Sequence, residues 1–309
     1  MRIVMTLLVR DEADVVDANI RYHLARGVDY VIATDHRSVD GTGRILREHE
    51  RAGHLRYMHE ASDTYAQSAW VTRMARLAAT DHQADWVINN DADEFWWPRS
   101  GDLRSSLASV HDAHVVEAPR SNFVPRPEPL GTWSDRMVVR EIASRNAVGQ
   151  PLPGKVCHRA HPAVVVAPGN HDVTLPDASR WAATPPIEIL HFPMRSRAQM
   201  ARKIRHAQAA LRRDRRSGVG ETWVRMAELQ ERGEFATWYE TQELDMPTIE
   251  HGLESGSLVE DRRLQHFLEA NAIHVASQGV VASPVERVSQ MTGKLAASVR
   301  RITSSAGRR

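Results

Sequence analysis

The residues best placed to do chemistry are Asn89–Phe95, NNDADEF, which close the apolar run Trp86–Ile88. Asp91 and Asp93 flank the small Ala92 directly after a predicted strand, and Glu94 follows at once. Carboxylates at the end of a strand put hard oxygen ligands on the carboxyl edge of a sheet, where open α/β sheets bind ligands. A hard divalent cation takes such oxygens and keeps positions open for water or substrate phosphates. A solvated acidic turn would use the same residues, and Asp-x-Asp alone does not decide between them.

The elements that must position these carboxylates are visible in the hydrophobic pattern. Ile3–Val9 is a compact apolar run and predicts a buried strand. Ala13–Arg26 carries Val16, Ile20 and Leu24 at helical spacing and stops at Gly27. Tyr30–Thr34 predicts a second strand, Asp40–Arg51 a second helix, Leu55–His59 a third strand, Ala66–His82 a third helix and Trp86–Asn90 a fourth strand. Strands alternating with helices imply βαβ units and a mostly parallel sheet. The pattern then loosens. Pro119–Pro129 is proline-rich and excludes a helix or a central strand. Met137–Ile142, Ala163–Val166 and Ile187–Phe192 predict strands. Gln199–Leu211, Glu221–Tyr239 and Arg262–Asn271 predict helices, with a charged loop Arg212–Gly220 between the first two. From Ser283, Val285, Val288, Leu295, Val299 and Ile302 recur at three- and four-residue steps among Arg287, Lys294, Arg300 and Arg301. That is a basic amphipathic helix suited to an anionic membrane surface, a partner helix, or docking on the chain's own surface.

Composition bounds the function classes. The 309 residues are 42% hydrophobic and 26% charged, with net charge +1, so the chain reads as ordinary globular protein and no nucleic-acid partner is expected. Its one cysteine, Cys157, rules out an internal disulfide and suits a reducing compartment. Cys157 itself is expected to be a buried small hydrophobe. Arg10 and Asp11 end the N-terminal apolar run too early for a signal peptide, and no run approaches the roughly 20 residues of a membrane span. A cytoplasmic protein is expected, with the tail open to peripheral contact at the inner face of the membrane or to self-association.

Four polar loops leave the carboxyl ends of the four predicted strands: Arg10-Asp11-Glu12, Asp35-His36-Arg37-Ser38, Asp63–Gln67 and Asp91-Ala92-Asp93. In a parallel sheet they converge on one rim. Acidic groups there recognise ribose hydroxyls and imides, and Arg10 can neutralise phosphate. Ser38–Thr42 caps the second helix, and Asp40 is either part of that cap or a ligand contact. Taken in order, RDEAD, TDHRSVDGT, WVTRMARLAA and WVINNDADEF resemble the family 2 glycosyltransferases and their relatives with the GT-A fold. The second loop is similar to that group's Asp-x-Ser-x-Asp-Gly-Thr, with one extra residue between Asp35 and Ser38.

The resemblance implies an α/β, Rossmann-like, mostly parallel sheet flanked by helices. Residues 1–100 would be the nucleotide-sugar-binding half, 101–211 the acceptor-side half, 212–275 a helical extension and 276–309 the basic tail. It implies a nucleoside-diphosphate sugar donor, a saccharide or other hydroxyl acceptor, and Mn²⁺ or Mg²⁺ on Asp91 and Asp93. Glu12, Asp35 and Asp63 would lie near the nucleoside, and Arg73 on the third helix is a further donor-side candidate. In the C-terminal half, Lys155, His171 and His191-Phe192-Pro193-Met194-Arg195-Ser196 followed by Lys203 are similar to a subgroup's Lys…His…His-x-x-x-x-Ser pattern. His191, ending an apolar strand, is the preferred histidine for the metal shell, with His171 second. Each of the 16 histidines has a packing or capping alternative. Arg195, Ser196 and Lys203 could hold phosphate oxygens near a helix start.

An inverting transferase also needs a carboxylate base beside the acceptor hydroxyl. The family's Glu-Asp or Asp-Asp pair is missing here, which leaves Asp172 and Glu188 as candidates, with Asp172 preferred for its loop beside His171. Trp96, Trp97 and Trp133 suit either a sugar-stacking surface or the core. Two other readings stay open. A metallohydrolase would need paired histidines, and His158 and His161 have no carboxylates near them in sequence. A non-catalytic nucleotide-sugar-binding protein fits the missing acidic pair. A nucleotidyltransferase would need a glycine-rich, Lys/Arg-bearing first loop, where Arg10-Asp11-Glu12 stands instead.

Overall fold

Both faces of the strand Ile3–Val9 are covered, as a continuous apolar run requires. In the computed structural model this strand, β1, leads into α1 (Val16–Ala25), β2 (Tyr30–Asp35), α2 (Thr42–Arg51), β3 (Leu55–His59), α3 (Gln67–Thr80) and β4 (Trp86–Asp91). The structure describes residues 1–63, 65–127, 131–146, 149–176, 180–213 and 220–275. The amphipathic tail expected from Ser283, the middle of the Arg212–Gly220 loop and the end of the proline-rich run lie outside them. The middle of the chain contributes β5 (Glu94–Pro98), α4 (Leu103–Ala108), β6 (Val115–Ala118), β7 (Arg120–Asn122), α5 (Trp133–Arg136), β8 (Val139–Glu141), β9 (Lys155–Arg159), β10 (Val165–Val166), β11 (Val173–Thr174) and β12 (Ile187–His191). Then come α6 (Arg197–Arg213), α7 (Glu221–Glu231), α8 (Phe235–Gln242), α9 (Met246–Ser255), β13 (Leu258–Glu260) and α10 (Arg263–Ala270).

The main sheet runs β3-β2-β1-β4-β9-β6. Strands β3, β2, β1 and β4 are parallel neighbours, and β9 is antiparallel to both β4 and β6. The α/β class expected from the sequence is therefore present, with one reversed strand. Alternate residues of each strand feed opposite faces. Val4, Ile32 and Val87 pack with Val71, Met74 and Ala78 of α3, while Met5, Leu7, Val31 and Ile88 pack with Val16, Ile20 and Leu46 of α1 and α2. Strand order reverses between β1 and β4, so the crevice of an open α/β sheet lies beyond the ends of these two strands. Val9 pairs with Asp35, and Leu8 with Asp91, at that edge.

Side chains of the second loop lace the first. Three consecutive amides, those of Asp11, Glu12 and Ala13, donate to Ser38 Oγ at 2.9 Å, Thr42 Oγ1 at 2.9 Å and Asp40 Oδ2 at 3.0 Å. Asp40 also accepts from Thr42 N at 3.0 Å, so its cap and its loop contact are one arrangement. Asp11 and Arg37 take positive φ of 55° and 60°, which places backbone strain in both loops at the sheet's edge. Gly43 lets α2 approach: a Cβ there would sit 2.7 Å from Asp35 Oδ2.

A buried polar network fixes the turn after β4. Asn19 Nδ2 donates to the carbonyls of Ala92 (3.0 Å) and Glu94 (2.8 Å), and Asn19 Oδ1 accepts from Asn90 Nδ2 at 3.0 Å. Asn90 Oδ1 accepts from Trp96 Nε1 at 3.0 Å. His23 Nδ1–H donates to Asn19 O at 2.8 Å, which leaves Nε2 to accept from Trp96 N at 3.2 Å. Strand β5, entered through this turn, starts a second sheet, β5-β12-β7, with β12 antiparallel to β5 and parallel to β7.

Several expectations need correction. Strand β5 is not among the expected strands, because EFWWP is buried on both faces and shows no alternation. Strand β9 escapes the pattern because its sequence, KVCHR, is mostly polar, yet Lys155, Cys157 and His158 are all buried. Met137–Ile142 gives only the three-residue β8, after a short helix. Arg120–Asn122 does form a strand inside the proline-rich run, but at the edge of its sheet, where the missing donors of nearby prolines do no harm. Glu221–Tyr239 is two helices, parted at Gly233, whose φ of 72° ends the first. Trp96 and Trp133 are fully buried core residues, and Arg26 covers the ring of Trp97 at 4.3 Å. Cys157 is buried, as expected.

Asn19→Ala would strand two carbonyls and one amide in the interior, and urea denaturation should show a loss of about 3 kcal/mol. A loss below about 1 kcal/mol would mean that the network does not hold the turn. Burial pushes the His23 imidazole down to about 4 against the hydrogen bond to Asn19. The neutral form is favoured in the fold, so its contribution is complete above the unfolded value near 6.5 and is lost as pH falls from there to about 4. The stability advantage of wild type over His23→Leu should therefore shrink by about 3 kcal/mol over that interval, and a flat difference would contradict the assignment.

Candidate functional site

The carboxyl edge of β1, β2 and β4 opens into a cavity of about 900 Å³. Its floor is a group of carboxylates brought close by the sheet, and its stability depends on the cations that reach them. Arg195, fully buried, donates to Glu12 and to Asp14 Oδ2 (2.8 Å) and lies 3.6 Å from Asp93. Lys203 Nζ, on α6, bridges Glu12 Oε1 at 2.7 Å and Asp93 Oδ2 at 2.8 Å. Lys155 Nζ, at the start of β9, pairs with Asp91 Oδ2 and lies 3.4 Å from Glu94. Arg120 donates to Glu94 Oε1 at 2.7 Å.

These pairings decide protonation. Burial alone would raise the Asp93 carboxyl, but the Lys203 ammonium and the Arg195 guanidinium outweigh it and hold Asp93 ionised far below the usual carboxylate range. Burial pushes Glu12 up against the pull of Lys203 and Arg195. Burial likewise raises Glu94, despite Lys155. Burial holds His191 well below the usual imidazole value, although Asp93 pulls the other way, so His191 is neutral.

The tautomer of His191 is set by its neighbour. Asn122 Nδ2 faces two acceptors, Arg145 O at 3.1 Å and Glu141 Oε2 at 3.4 Å, so its Oδ1 must be the atom that meets His191 Nδ1 at 2.8 Å. The proton is then on Nδ1. The Nε2 lone pair faces Asp93 Oδ1 at 3.8 Å, too far for a hydrogen bond.

Among the described residues no group of three or more His, Cys, Asp or Glu side chains is arranged to hold a metal ion. The two Asp residues of the Asp-Ala-Asp turn differ in what they can offer. Asp91 has both oxygens engaged, Oδ2 by Lys155 and Oδ1 by Asn170 Nδ2 at 3.2 Å. Asp93 keeps Oδ1 open beside the Nε2 of a neutral histidine. One carboxylate oxygen and one imidazole nitrogen fit a cation that takes its remaining ligands from water and substrate phosphates.

Of the residues expected from the sequence, Arg10, Glu12, Asp63, Asp91, Asp93, Lys155, His171, His191 and Lys203 line this cavity. Arg10 is half-buried, and its Nε has no hydrogen-bond partner among the described residues. Asp63 is exposed and pairs with Arg37 and with Arg213 at 3.1 Å. The other expected residues are not part of the lining. Asp35 lies behind the wall, accepting from Ser38 N at 2.9 Å and Tyr57 OH at 3.2 Å. Arg195 braces the acids from below. Ser196 Oγ accepts from Gln199 N at 3.1 Å, a helix-start contact. Arg73 faces a separate groove of about 740 Å³ along α3. Asp172 caps its own loop through Val173 N at 2.7 Å. Glu188, at the far end of β12 from His191, pairs with Arg263 at 2.8 Å in another cavity of about 440 Å³.

Other lining residues stand outside the sequence motifs. Asn122, Glu141, His206, Trp223 and Trp238 all line the cavity. His206 Nε2 meets Asp11 Oδ2 at 2.6 Å. Asn122 and Glu141 sit on short strands within or beyond the proline-rich run, where no periodic pattern marks them. The three-residue spacing of Lys203 and His206 on one helical face is the one signal that could have found any of them.

No protein-family model and no curated protein matches the chain. Among solved structures it is similar to Staphylococcus aureus TarS 1–349 in complex with UDP, at 12% identity over 69% of this chain and 70% of that one, with a TM-score of 0.41. The same TarS fragment in complex with UDP-GlcNAc gives 10% identity over 68% and 67%, also at 0.41. Mycobacterium tuberculosis glucosyl-3-phosphoglycerate synthase with Mn²⁺, UDP and phosphoglyceric acid gives 19% identity over 52% and 56%, at 0.31. Likeness at this level carries no argument about activity, which has to be read from the residues themselves.

Lys203→Met would leave Glu12 and Asp93 buried without their shared ammonium. Removing one partner of a buried pair costs about 3–5 kcal/mol, and a second change, Glu12→Gln, should restore part of the loss. A double-mutant cycle by chemical denaturation measures both, and additive effects would show that the groups are uncoupled.

Proposed function

We propose that this chain is a metal-dependent glycosyltransferase of the GT-A kind. It would move a sugar from a nucleoside-diphosphate sugar to a hydroxyl acceptor with inversion at the anomeric carbon. The observation that carries the reading is the pair of open ligand atoms, Asp93 Oδ1 and His191 Nε2, 3.8 Å apart in a cavity of about 900 Å³ at the reversal point of an α/β sheet. The order of acidic loops along the first hundred residues supports it.

In this reading Asp93 and His191 hold Mn²⁺ or Mg²⁺, and the bound ion supplies Lewis-acid neutralisation of the charge that collects on the departing diphosphate. The remaining work belongs to the chain's own groups. Arg10, with a guanidinium nitrogen unpaired among the described residues, and Lys203 add positive charge where phosphate oxygens would lie. Lys155 and Asn170 keep Asp91 in one orientation, and Asp91 steadies the turn bearing Asp93. The loops carrying His36, Arg37 and Asp63 form the nucleoside end. Trp223 and Trp238 offer flat faces on which an acceptor ring can stack. No helix among the described residues is long and apolar enough to cross a membrane, and peripheral contact remains a proposal for the tail alone.

Thermal unfolding with Mn²⁺ and each of UDP, GDP, ADP and CDP tests the donor site. A ligand of the folded state alone raises the melting temperature by mass action. One nucleotide should give a Mn²⁺-dependent rise that chelation reverses. Asp93→Asn and His191→Ala should each weaken Mn²⁺ affinity at least about tenfold by calorimetry, as loss of a direct ligand exceeds the 10–100-fold effect of outer-shell changes. Absence of any shift at millimolar nucleotide would refute the reading.

A further inference from the structure

The cavity wall holds six carboxylates among the described residues: Glu12, Asp63, Asp91, Asp93, Glu141 and Glu221. A general base must face the reacting hydroxyl and be unencumbered by a cation, because a paired carboxylate is a weaker proton acceptor. Four of the six fail that condition. Glu12 and Asp93 share Lys203, Asp91 is held by Lys155, and Asp63 is held by Arg37 and Arg213. Glu221 is exposed in the first turn of α7, where the helix dipole favours the anion and lowers basicity. Glu141 is left. It is half-buried at the end of β8, has no ion pair among the described residues, and accepts from uncharged groups, Asn122 and Ser144 among them.

Its place also fits. The antiparallel bridge of Phe123 with Arg140 sets Glu141 beside Asn122, and Asn122 bonds directly to His191. Glu141 is therefore linked to His191 through the single side chain of Asn122, and all three line the cavity. The cavity histidines are otherwise occupied. His36 Nε2 meets Ser62 O at 3.0 Å, and His206 Nε2 meets Asp11. His171 Nδ1 meets Gly154 O at 2.7 Å, and its Nε2 lies so close to Gly169 that a Cβ there would stand 2.7 Å away.

We propose that Glu141 is the general base of the transfer, a role that rests on the donor-site reading above. The acceptor oxygen forms a bond to the anomeric carbon. The bond from that carbon to the β-phosphate oxygen breaks, its electron pair leaves with the nucleoside diphosphate, and the hydroxyl proton passes to a Glu141 oxygen. Burial raises the Glu141 carboxyl above its ordinary value, which strengthens it as a base.

The test uses the full chain, Mn²⁺ and the diphosphate glucose of whichever nucleoside stabilises the wild type. Donor consumption is measured with water, glycerol, methyl glucosides and azide as acceptors. Glu141→Gln should lower kcat by about 10²–10⁴-fold, the range of general-base contributions, with KM and nucleotide affinity within about twofold of wild type. Azide needs no deprotonation, so glycosyl azide of inverted configuration should form in Glu141→Ala at a rate that approaches the wild type's. His206→Asn serves as the competing variant. Turnover in Glu141→Gln within about threefold of wild type, a larger kcat loss in His206→Asn without azide rescue in Glu141→Ala, or a product of retained configuration would each overturn the assignment. A wild type that binds nucleotide but consumes no donor with any of these acceptors also overturns it while the donor site stands. A wild type that binds no nucleotide fails at the earlier step and removes both readings.

Discussion

The rest of this site depends on one electrostatic constraint, the crowding of carboxylates at the end of a buried sheet. Glu12, Asp14, Asp93 and Glu94 are largely removed from water, and two like charges about 4 Å apart repel by about 4 kcal/mol even at an effective dielectric of about 20. Arg195, Lys203, Lys155 and Arg120 offset that repulsion. All four cations come from the chain beyond residue 119, and all the acids come from its first hundred residues. The loops after β1 and β4 are therefore held by charged partners from β7, β9, α6 and the turn before α6.

The same pairing divides the work of the Asp-Ala-Asp turn. Asp91 is consumed as a structural anion between Lys155 and Asn170, while Asp93 is held ionised yet keeps one oxygen free. The turn itself is gripped from behind by Asn19, whose three hydrogen bonds leave its backbone little freedom. Lacing of the first loop by Ser38, Asp40 and Thr42 fixes Glu12 in the same way. Rigid backbone under each charged group is what lets two open atoms, on Asp93 and His191, hold a fixed separation.

The helical part of the lining has a different character. Helices α6, α7 and α8 pack through Met200, Ile204, Met226, Leu229, Phe235 and Tyr239, and this small core is separate from that of the sheet. Its helices also bring Trp223 and Trp238 to the cavity lining. Glu141 and Asn122 lie on short strands and line the same cavity. A carboxylate without a cation is tolerated there because water and neutral donors reach it, whereas the same group at the sheet edge would need a counter-charge.

What the sequence by itself determined is the first half of the fold and the placing of acidic groups at the ends of its strands. Apolar runs β1 to β4 alternate with amphipathic helices, and period and length are local properties that survive without tertiary context. Asp91, Asp93, Glu12 and His191 were legible because each stands at or just beyond the end of such a run. The tertiary structure decided everything that depends on who stands next to whom. It set Asp91 aside through Lys155, turned Arg195 into a brace and Ser196 into a cap, sent Glu188 to a separate pocket with Arg263, and left Glu141 lining the cavity without a cation among the described residues. Strands β5 and β9 were invisible for a related reason: their residues are buried on both faces or carry a charge whose partner is far along the chain, so no periodic signal marks them. Local pattern encodes the elements. Long-range charge pairing, which no short window contains, selects which of the described carboxylates are held by a cation.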